Sequence, residues 1–303
     1  MLRGRTKKMQ ALLFAGCTIS NRLPFLEKSA RLVFKDLGIE FIDAPFTCCP
    51  DPVGVQAISE KTWLTLGARN LCLAEQEKKK IISLCNGCSE TLIGVKSCLD
   101  HDKESLNEVK KVLSKKGYDY KGTSETFHFI RSLIEDVGIG KIKEKVKRPL
   151  KGLKCATHTG CHYMRPSDWI KWDDPLEPKY LDVLVNAVGA EALDYEEKML
   201  CCGAGVDRTN NEVGLEVAHR KYKGATEADA NCLVVNCPAC FQQFENTQRD
   251  VSKKYEEKYK IPVFYITELI ALAFGYNPED LGLRYHRNRP KKLLKSIGIE
   301  DPQ

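Results

Sequence analysis

The sequence lacks the features that mark several common classes of protein. No apolar run approaches the length of a membrane span, so we expect no membrane insertion. There is no arginine–aromatic pattern of an RNA-binding motif, which argues against a nucleic-acid partner. No Gly-x-Gly-x-x-Gly follows a predicted strand, and no Cys-x-x-Cys-x-x-Cys-x-x-x-Cys run occurs. We therefore expect no dinucleotide site and no ferredoxin-type cluster in the chain, so that its electrons come from a partner protein.

Length and charge set broad limits on the protein. At 303 residues the chain can form two ordinary domains, and its net charge of +6 is mild. Basic residues concentrate at 140–152 and 284–295. They either form a solvated surface or attract an anionic ligand or partner. The basic stretch 3–8 precedes an apolar run, 11–15, that is too short for a signal-peptide core. With its thiols reduced or metallated, the protein is expected to be cytoplasmic.

The chain contains fourteen cysteines, and ten of them form the same five-cysteine pattern twice. Each set has the order Cys, Cys-Cys, Cys-x-x-Cys, with gaps of 30, 35 and 2 residues in the first and 39, 34 and 2 in the second. The first set is Cys17, Cys48, Cys49, Cys85 and Cys88, and the second is Cys161, Cys201, Cys202, Cys237 and Cys240. Such a repeat predicts two similar metal-binding halves.

Short apolar runs alternate with amphipathic stretches, and the alternation restarts at residue 154. It predicts strands at 10–15, 40–44, 80–84, 154–160, 192–195, 232–236 and 263–266, and helices at 23–37, 57–79, 89–116, 180–188, 212–228, 241–259 and 267–274, with 127–138 closing the first unit. The predicted fold class is α/β, with two duplicated domains that each have a small parallel sheet, flanking helices and cysteine-rich loops at the strand ends. The predicted division is a first domain at 1–139, a basic linker at 140–152 and a second domain with a basic tail at 153–303.

Five thiols per half favour an iron–sulfur centre over zinc, because a structural zinc site takes four ligands. Adjacent side chains diverge on an extended chain, so a Cys-Cys pair suits a centre with several irons. His158 and His162 flank Cys161 and could bind metal or substrate, although nothing in the first half matches them. The remaining cysteines lack repeat partners and are interpreted as small buried hydrophobic residues: Cys72, Cys98, Cys155 and Cys232.

The doubled pattern, with Gly203 directly after the second Cys-Cys pair, resembles the B subunit of the coenzyme B–coenzyme M heterodisulfide reductases of methanogenic archaea. The resemblance covers residues 10 to about 290 and departs from the family pattern at Pro50, which follows the first pair. Superfamily relatives with the same domain pair serve thiol-linked fumarate reduction, glycolate and lactate oxidation and sulfur oxidation. Several of those relatives carry a fused ferredoxin domain, and its absence here favours the heterodisulfide reductase family.

The resemblance implies two noncubane [4Fe-4S] clusters, one on each five-thiol set. In some relatives zinc takes the place of one cluster, and the intact set of ten cysteines argues against that here. It implies reduction of the CoM-S-S-CoB heterodisulfide to two thiols, with one electron from each cluster. The implied partners are a ferredoxin-like iron–sulfur subunit of the C type and a flavoprotein subunit of the A type. Because that substrate is anionic, Arg22, His162, Arg165 and Arg208 near the cysteine loops are candidate substrate residues, each weighed against an ordinary surface side chain.

Two alternatives stay open at this point. One is an iron–sulfur electron-transfer subunit of a related oxidoreductase of the types just named. The other is a zinc-binding interaction module without a redox role. Iron and sulfide content would separate the second alternative from the rest, and turnover of the heterodisulfide would separate the first.

Overall fold

The computed structural model describes residues 9–301, and this part of the chain contains two four-stranded parallel sheets. The first sheet has the strand order β2-β1-β3-β4 and the second has the order β6-β5-β7-β8. The strands are β1 (Met9–Phe14), β2 (Ile39–Ile42), β3 (Ile81–Ser83), β4 (Thr126–His128), β5 (Lys154–His158), β6 (Glu191–Leu193), β7 (Cys232–Val235) and β8 (Val263–Tyr265). The second sheet repeats the first strand for strand, which confirms the predicted α/β class with two similar halves.

Helices connect the strands of both sheets, as parallel pairing requires. In the first half they are α1 (Cys17–Arg22), α2 (Pro24–Asp36), α3 (Val55–Ile58), α4 (Glu60–Glu77), α5 (Asn86–His101), α6 (Lys103–Ser114), α7 (Phe129–Ser132) and α8 (Ile139–Lys145). In the second half they are α9 (Ser167–Ile170), α10 (Tyr180–Ala187), α11 (Ala204–Asp207), α12 (Asn211–Glu227), α13 (Pro238–Lys254), α14 (Ile266–Ala273) and α15 (Lys291–Ser296). Among residues 9–301, none of these helices has both the length and the apolar character that crossing a bilayer requires.

The two faces of the first sheet pack against different parts of the molecule, because neighbouring strand residues point in opposite directions. Leu12 and Phe14 lie in a local core of the first half. Ala11 and Leu13 belong to a larger core that also includes buried residues of the second half. The two halves therefore share an apolar interior, and Ser29 on α2 is hydrogen-bonded to Thr267 on α14 at 2.6 Å across it.

Two predicted helices are each divided in the structure by a capping side chain. Apolar periodicity predicts one helix over 89–116, but Asp102 is extended and its carboxylate accepts the N–H groups of Glu104 and Ser105 at the start of α6. Ser59 likewise separates α3 from α4 and accepts the Thr62 N–H. Short polar side chains stabilise a helix start more than a helix interior, so they override the apolar periodicity on which the prediction relies.

The segment predicted as a basic linker, 140–152, is packed and hydrogen-bonded. It includes most of α8, and Lys147 and Arg148 each donate a backbone N–H to the carbonyl of Ala273. Leu150 is fully buried and donates to Val188. The division into domains at 1–139 and 153–303 stays a prediction.

Candidate metal centre

All four Cys-x-x-Cys and Gly-Cys motifs follow the central strands of the two sheets. Cys17 begins α1 just after β1, and Cys161 follows β5 in the same way. Cys85 and Cys237 are the residues directly before α5 and α13, which continue from β3 and β7. Because parallel strands place their carboxyl ends at one edge, each sheet brings its thiols together there, where open α/β sheets normally bind ligands.

The ten predicted ligand thiols form one connected group. In the first set, Cys48 interacts with Cys17 and Cys49, and Cys88 interacts with Cys49 and Cys85. In the second set each thiol likewise interacts with the next in the series Cys161, Cys201, Cys202, Cys240 and Cys237. The two sets meet because the thiol of Cys85 interacts with that of Cys237. The duplication thus creates two neighbouring thiol clusters that interact through Cys85 and Cys237.

Exposure of the thiols follows the repeat. The Gly-Cys thiol and the first thiol of the Cys-Cys pair are exposed in both sets: Cys17, Cys48, Cys161 and Cys201. The remaining ligand candidates are buried, apart from the half-buried Cys85: Cys49, Cys88, Cys202, Cys237 and Cys240. Each set therefore has an enclosed inner side and an outer side that a small molecule can reach.

The thiols strongly perturb one another's ionisation. Interactions with Cys161 and then Cys202 lower the pKa of Cys201 to about 2, while interaction with Cys201 raises the pKa of Cys202 to about 12. In the first set, interaction with Cys48 lowers the pKa of Cys49, whereas interaction with Cys49 raises that of Cys48. Protons shared among crowded thiols have to be displaced when metal binds, because the thiolate is the ligand.

Two glycines leave room for the thiol clusters. A Cβ atom on Gly16 would lie 2.8 Å from the Sγ of Cys88, and one on Gly160 would lie 3.3 Å from the Sγ of Cys240. Both residues have a positive φ, 78° and 75°, which L-residues rarely adopt. Ten thiols in two groups, with backbone held close to them, form a donor set that fits iron–sulfur chemistry.

The two Cys-Cys pairs differ in the backbone that follows them. The N–H of Gly203 donates to the Sγ of Cys201 at 3.4 Å. Pro50 occupies the equivalent position after the first pair, and proline has no N–H to donate. A backbone hydrogen bond to the first thiol of the pair is therefore specific to the second set.

A cavity of about 440 Å³ lies at the exposed side of Cys161. It is lined by His162 and Arg165 of the second half and by Pro52, Gln56 and Glu90 of the first half. Burial raises the pKa of Glu90 to about 8, and a carboxylate oxygen lies 3.8 Å from Nδ1 of His162. Of the four candidate substrate residues, two therefore share a cavity with a candidate ligand thiol.

The other two candidate substrate residues lie elsewhere. Arg22 lines a separate cavity of about 700 Å³ with Phe25, Tyr285 and Arg287. Arg208 is exposed at the end of α11. The assignment of all four to substrate binding stays a prediction.

The cysteines interpreted as hydrophobic residues are positioned largely as expected. Cys72, Cys155 and Cys232 are buried and Cys98 is half-buried. Cys155 and Cys232 are partners on β5 and β7, with their sulfur atoms 3.5 Å apart.

Three buried polar residues lie near the thiols, and the sequence assigns a possible metal or substrate role only to His158. Asn86, inside the first Cys-x-x-Cys, donates to the carbonyl of Thr159 in the second half at 2.6 Å. Lys221 on α12 is fully buried, and burial lowers its pKa to about 7. His158 ends β5, and burial followed by the charge of Lys221 lowers its pKa to about 3. Aligning the two halves pairs His158 with Phe14, because each lies two residues before the glycine of its Gly-Cys motif. This difference could have been noticed from the sequence.

Comparisons with known proteins agree with this architecture. A family model described as a cysteine-rich domain, CCG, matches residues 11–93 and 155–245. The chain is 36% identical over 288 residues to the B subunit of the Ferredoxin/F(420)H(2)-dependent CoB-CoM heterodisulfide reductase of Methanosarcina acetivorans, covering 94% of this chain and 96% of that protein. It is 37% identical to the B subunit of the Ferredoxin:CoB-CoM heterodisulfide reductase of Methanosarcina mazei, with the same coverage.

One solved structure extends the comparison to the fold. A hypothetical protein from Helicobacter pylori superposes with a TM-score of 0.70 at 23% identity, over 92% of this chain and 52% of that chain. At this identity the similarity shows the fold alone.

Proposed function

The chain belongs to the CCG cysteine-rich family of heterodisulfide reductase B subunits and is an iron–sulfur subunit of a reductase, and from this premise we propose that it is the catalytic subunit that reduces a CoM-S-S-CoB-type heterodisulfide to two thiols. The observation that carries the proposal is that the two five-thiol sets adjoin. The Tyr265 hydroxyl is hydrogen-bonded to the carbonyls of Leu84 and Asn236, the residues directly before Cys85 and Cys237, and these two thiols interact. Cleaving a disulfide to two thiols consumes two electrons and two protons. Two adjoining one-electron centres match that requirement.

We propose that each five-thiol set holds one noncubane [4Fe-4S] cluster. When bound, such clusters supply single electrons and Lewis-acid sites for thiolate sulfur. The inner thiols would enclose each cluster, and the exposed ones, such as Cys161 and Cys17, would hold its accessible side. Gly16 and Gly160 let the backbone pass close to this space without a side chain in it.

The cavity beside Cys161 suits one end of an anionic disulfide. Arg165 is exposed and its guanidinium donates to the carbonyl of Pro175 at 3.1 Å, which leaves further N–H groups for a ligand. His162 lies beside it on the cavity wall. Arginine binds sulfonate, phosphate and carboxylate groups through paired N–H donors, so we propose Arg165 as the residue that positions the substrate anion.

The electrons would come from a ferredoxin-like iron–sulfur subunit and a flavoprotein subunit, which are the partners that the family resemblance implies. The chain itself has no ferredoxin-type cysteine run, which supports an external source. We propose a cytoplasmic location for the assembly.

The first test is metal analysis of full-length protein prepared without oxygen. We expect about eight irons and a similar amount of acid-labile sulfide per chain, with little zinc. The Cys201→Ser/Cys202→Ser and Cys48→Ser/Cys49→Ser variants should each retain roughly half of the iron. Cys98→Ser, outside both sets, is the matched control and should retain all of it.

Turnover is the second part of the test. With a chemically reduced viologen as electron donor, the heterodisulfide should be converted to one equivalent of each thiol. Iron without turnover would leave an electron-transfer subunit and refute the catalytic assignment. Zinc without iron would refute the redox assignment as well.

A further inference from the structure

His158 is a buried side chain whose hydrogen-bonding capacity is unused in the polypeptide. It is 1% exposed, and neither Nδ1 nor Nε2 has a hydrogen-bond partner among residues 9–301. Buried polar side chains in native proteins are nearly always hydrogen-bonded, because an unsatisfied polar atom costs free energy. An imidazole with two unpartnered nitrogens indicates a partner that the chain does not supply.

The position of His158 indicates what that partner is. One of its ring nitrogens and the sulfur atoms of Cys202 and Cys240 all lie within 4.8 Å of one another. These two thiols belong to the buried inner side of the second set. The imidazole therefore borders the space that a metal centre held by this set would occupy.

The first half has no equivalent polar group. Phe14 stands at the matching position, at the end of β1 and two residues before Gly16. Its ring packs against Phe46, with the ring centroids 4.9 Å apart, in the apolar core of that half. The same backbone position thus carries an apolar ring beside one thiol set and an imidazole beside the other.

We propose that His158 is a contact residue of the second metal centre, to which it binds through an imidazole nitrogen, and that this contact makes the second centre the more easily reduced of the two. The proposal rests on the proposed function only in requiring that both thiol sets bind iron–sulfur clusters. Histidine ligation and hydrogen bonds to cluster sulfur both raise a cluster's reduction potential. The Gly203 N–H to Cys201, which Pro50 cannot match, acts in the same direction.

The decisive measurement detects nitrogen directly. Full-length protein containing ¹⁵N-labelled histidine is loaded with iron and sulfide, reduced by one electron and examined by pulsed EPR. We expect a histidine nitrogen coupling in the wild type that disappears in His158→Phe, the substitution that copies the first half. His219→Phe, at a partly exposed ring that pairs with Glu257 at 3.1 Å, is the control and should keep the coupling.

A redox titration follows the same variants. The wild type should show two separate reduction steps, and in His158→Phe the two steps should approach each other because the potential of the second centre falls. His158→Gln retains a polar donor and should restore part of the separation. Full iron content with no histidine coupling, or with steps unchanged in His158→Phe, would overturn the inference while leaving the proposed function intact.

The metal-free protein distinguishes a metal contact from a structural role. Because His158 has no protein hydrogen bond, His158→Phe should leave the thermal midpoint of metal-free protein unchanged or raise it. The same substitution should lower the midpoint of the iron-loaded protein. A lower thermal midpoint in both forms would show that His158 stabilises the fold itself and would overturn the proposal. If neither the wild type nor any variant took up iron, the proposed function would be refuted instead.

Discussion

The two halves hold equivalent thiols in different surroundings. Beside the first set stand Phe14, Pro50 and Leu84, and the equivalent positions beside the second set are His158, Gly203 and Asn236. At each of these positions an apolar or donor-free residue corresponds to one that can hydrogen-bond. The duplication has preserved the ten candidate ligands and changed their environment, which is how one donor set can give two centres with different properties.

The largest expected effects come from the two glycines, and they should differ between the halves. Gly16→Ala places a Cβ atom 2.8 Å from the Sγ of Cys88, a candidate ligand on α5, so we expect loss of most iron from the first set. A Cβ atom on Gly160 would lie 2.7 Å from the Nδ2 of Asn86 but 3.3 Å from the nearest thiol sulfur, that of Cys240, so Gly160→Ala should lose less iron. Iron per chain is the measurement.

The control for these two variants separates strain from steric conflict. Gly117 has the same φ of 78° as Gly16, and a Cβ atom there would meet nothing within 4 Å. Gly117→Ala should cost only the ~1–2 kcal/mol of a left-handed alanine and retain full iron. If Gly16→Ala retained all its iron, close backbone approach would not be a requirement of the first site.

Lys221 and Arg69 occupy equivalent positions before Cys-x-x-Cys and act on equivalent loops. Lys221 donates to the carbonyls of Glu197 and Lys198, and Arg69 donates to that of Pro45 at 2.7 Å. Lys221→Met would remove the fully buried donor that bonds both carbonyls and should destabilise metal-free protein by ~3 kcal/mol. Arg69→Met, at a half-buried site that water can reach, should cost ~1 kcal/mol.

Urea unfolding of the metal-free variants measures this difference. The midpoints should fall in the order wild type, Arg69→Met, Lys221→Met. Equal losses would mean that the buried hydrogen bonds of Lys221 stabilise their loop no more than the half-buried hydrogen bond of Arg69 stabilises its own.

Substrate affinity should distinguish Arg165 from Arg208, which are both exposed arginines shortly after a candidate ligand thiol. Arg165 lines the cavity beside Cys161, and Arg208 lies outside it. Removing one charge-assisted contact costs ~1.5–3 kcal/mol, so Arg165→Ala should raise KM about 10- to 100-fold with a smaller change in kcat. Arg208→Ala should leave both constants unchanged. If Arg208→Ala raised KM and Arg165→Ala did not, the substrate would bind on the Arg208 side of the second set instead.

Much of this molecule could be predicted from its sequence, because each half carries the same local patterns of apolar runs and cysteines in the same order. Seven of the eight strands, the α/β class and the two thiol sets follow from apolar runs and from cysteine spacing, whereas β4 lies in a segment for which no strand was predicted. The breaks at Ser59 and Asp102 were missed because a capping side chain competes locally with helical periodicity.

The environment of the thiols could not be predicted in the same way. Asn86 reaches a carbonyl 73 residues away, and Cys85 meets Cys237 only because the two halves pack together. Such contacts depend on how two sheets share a core, which no local pattern records. Comparing Phe14 with His158 was the accessible signal, since it needs only the alignment of one half on the other.

The smallest expected effect concerns the segment after α14, which carries His286. Its Nε2 lies 2.9 Å from a carboxylate oxygen of Glu268, and both side chains are fully buried. Burial opposes protonation, but the carboxylate of Glu268 and then that of Glu245 outweigh it and raise the pKa of His286 above its usual 6.5. The folded chain therefore binds this proton more tightly than the unfolded chain, so its contribution is complete below about pH 6.5 and is lost as pH rises through the folded pKa.

His286→Gln should accordingly destabilise metal-free protein by ~1 kcal/mol below about pH 6.5, and the difference from wild type should shrink at higher pH. Denaturant unfolding at a series of pH values measures it. A cycle with Glu268→Gln tests the pairing, because the carboxylate also accepts the N–H of Tyr265 at 2.8 Å and its loss has a pH-independent part. A difference that grew with pH would mean that His286 is held neutral, and the second half would then end in a neutral hydrogen bond instead of a buried ion pair.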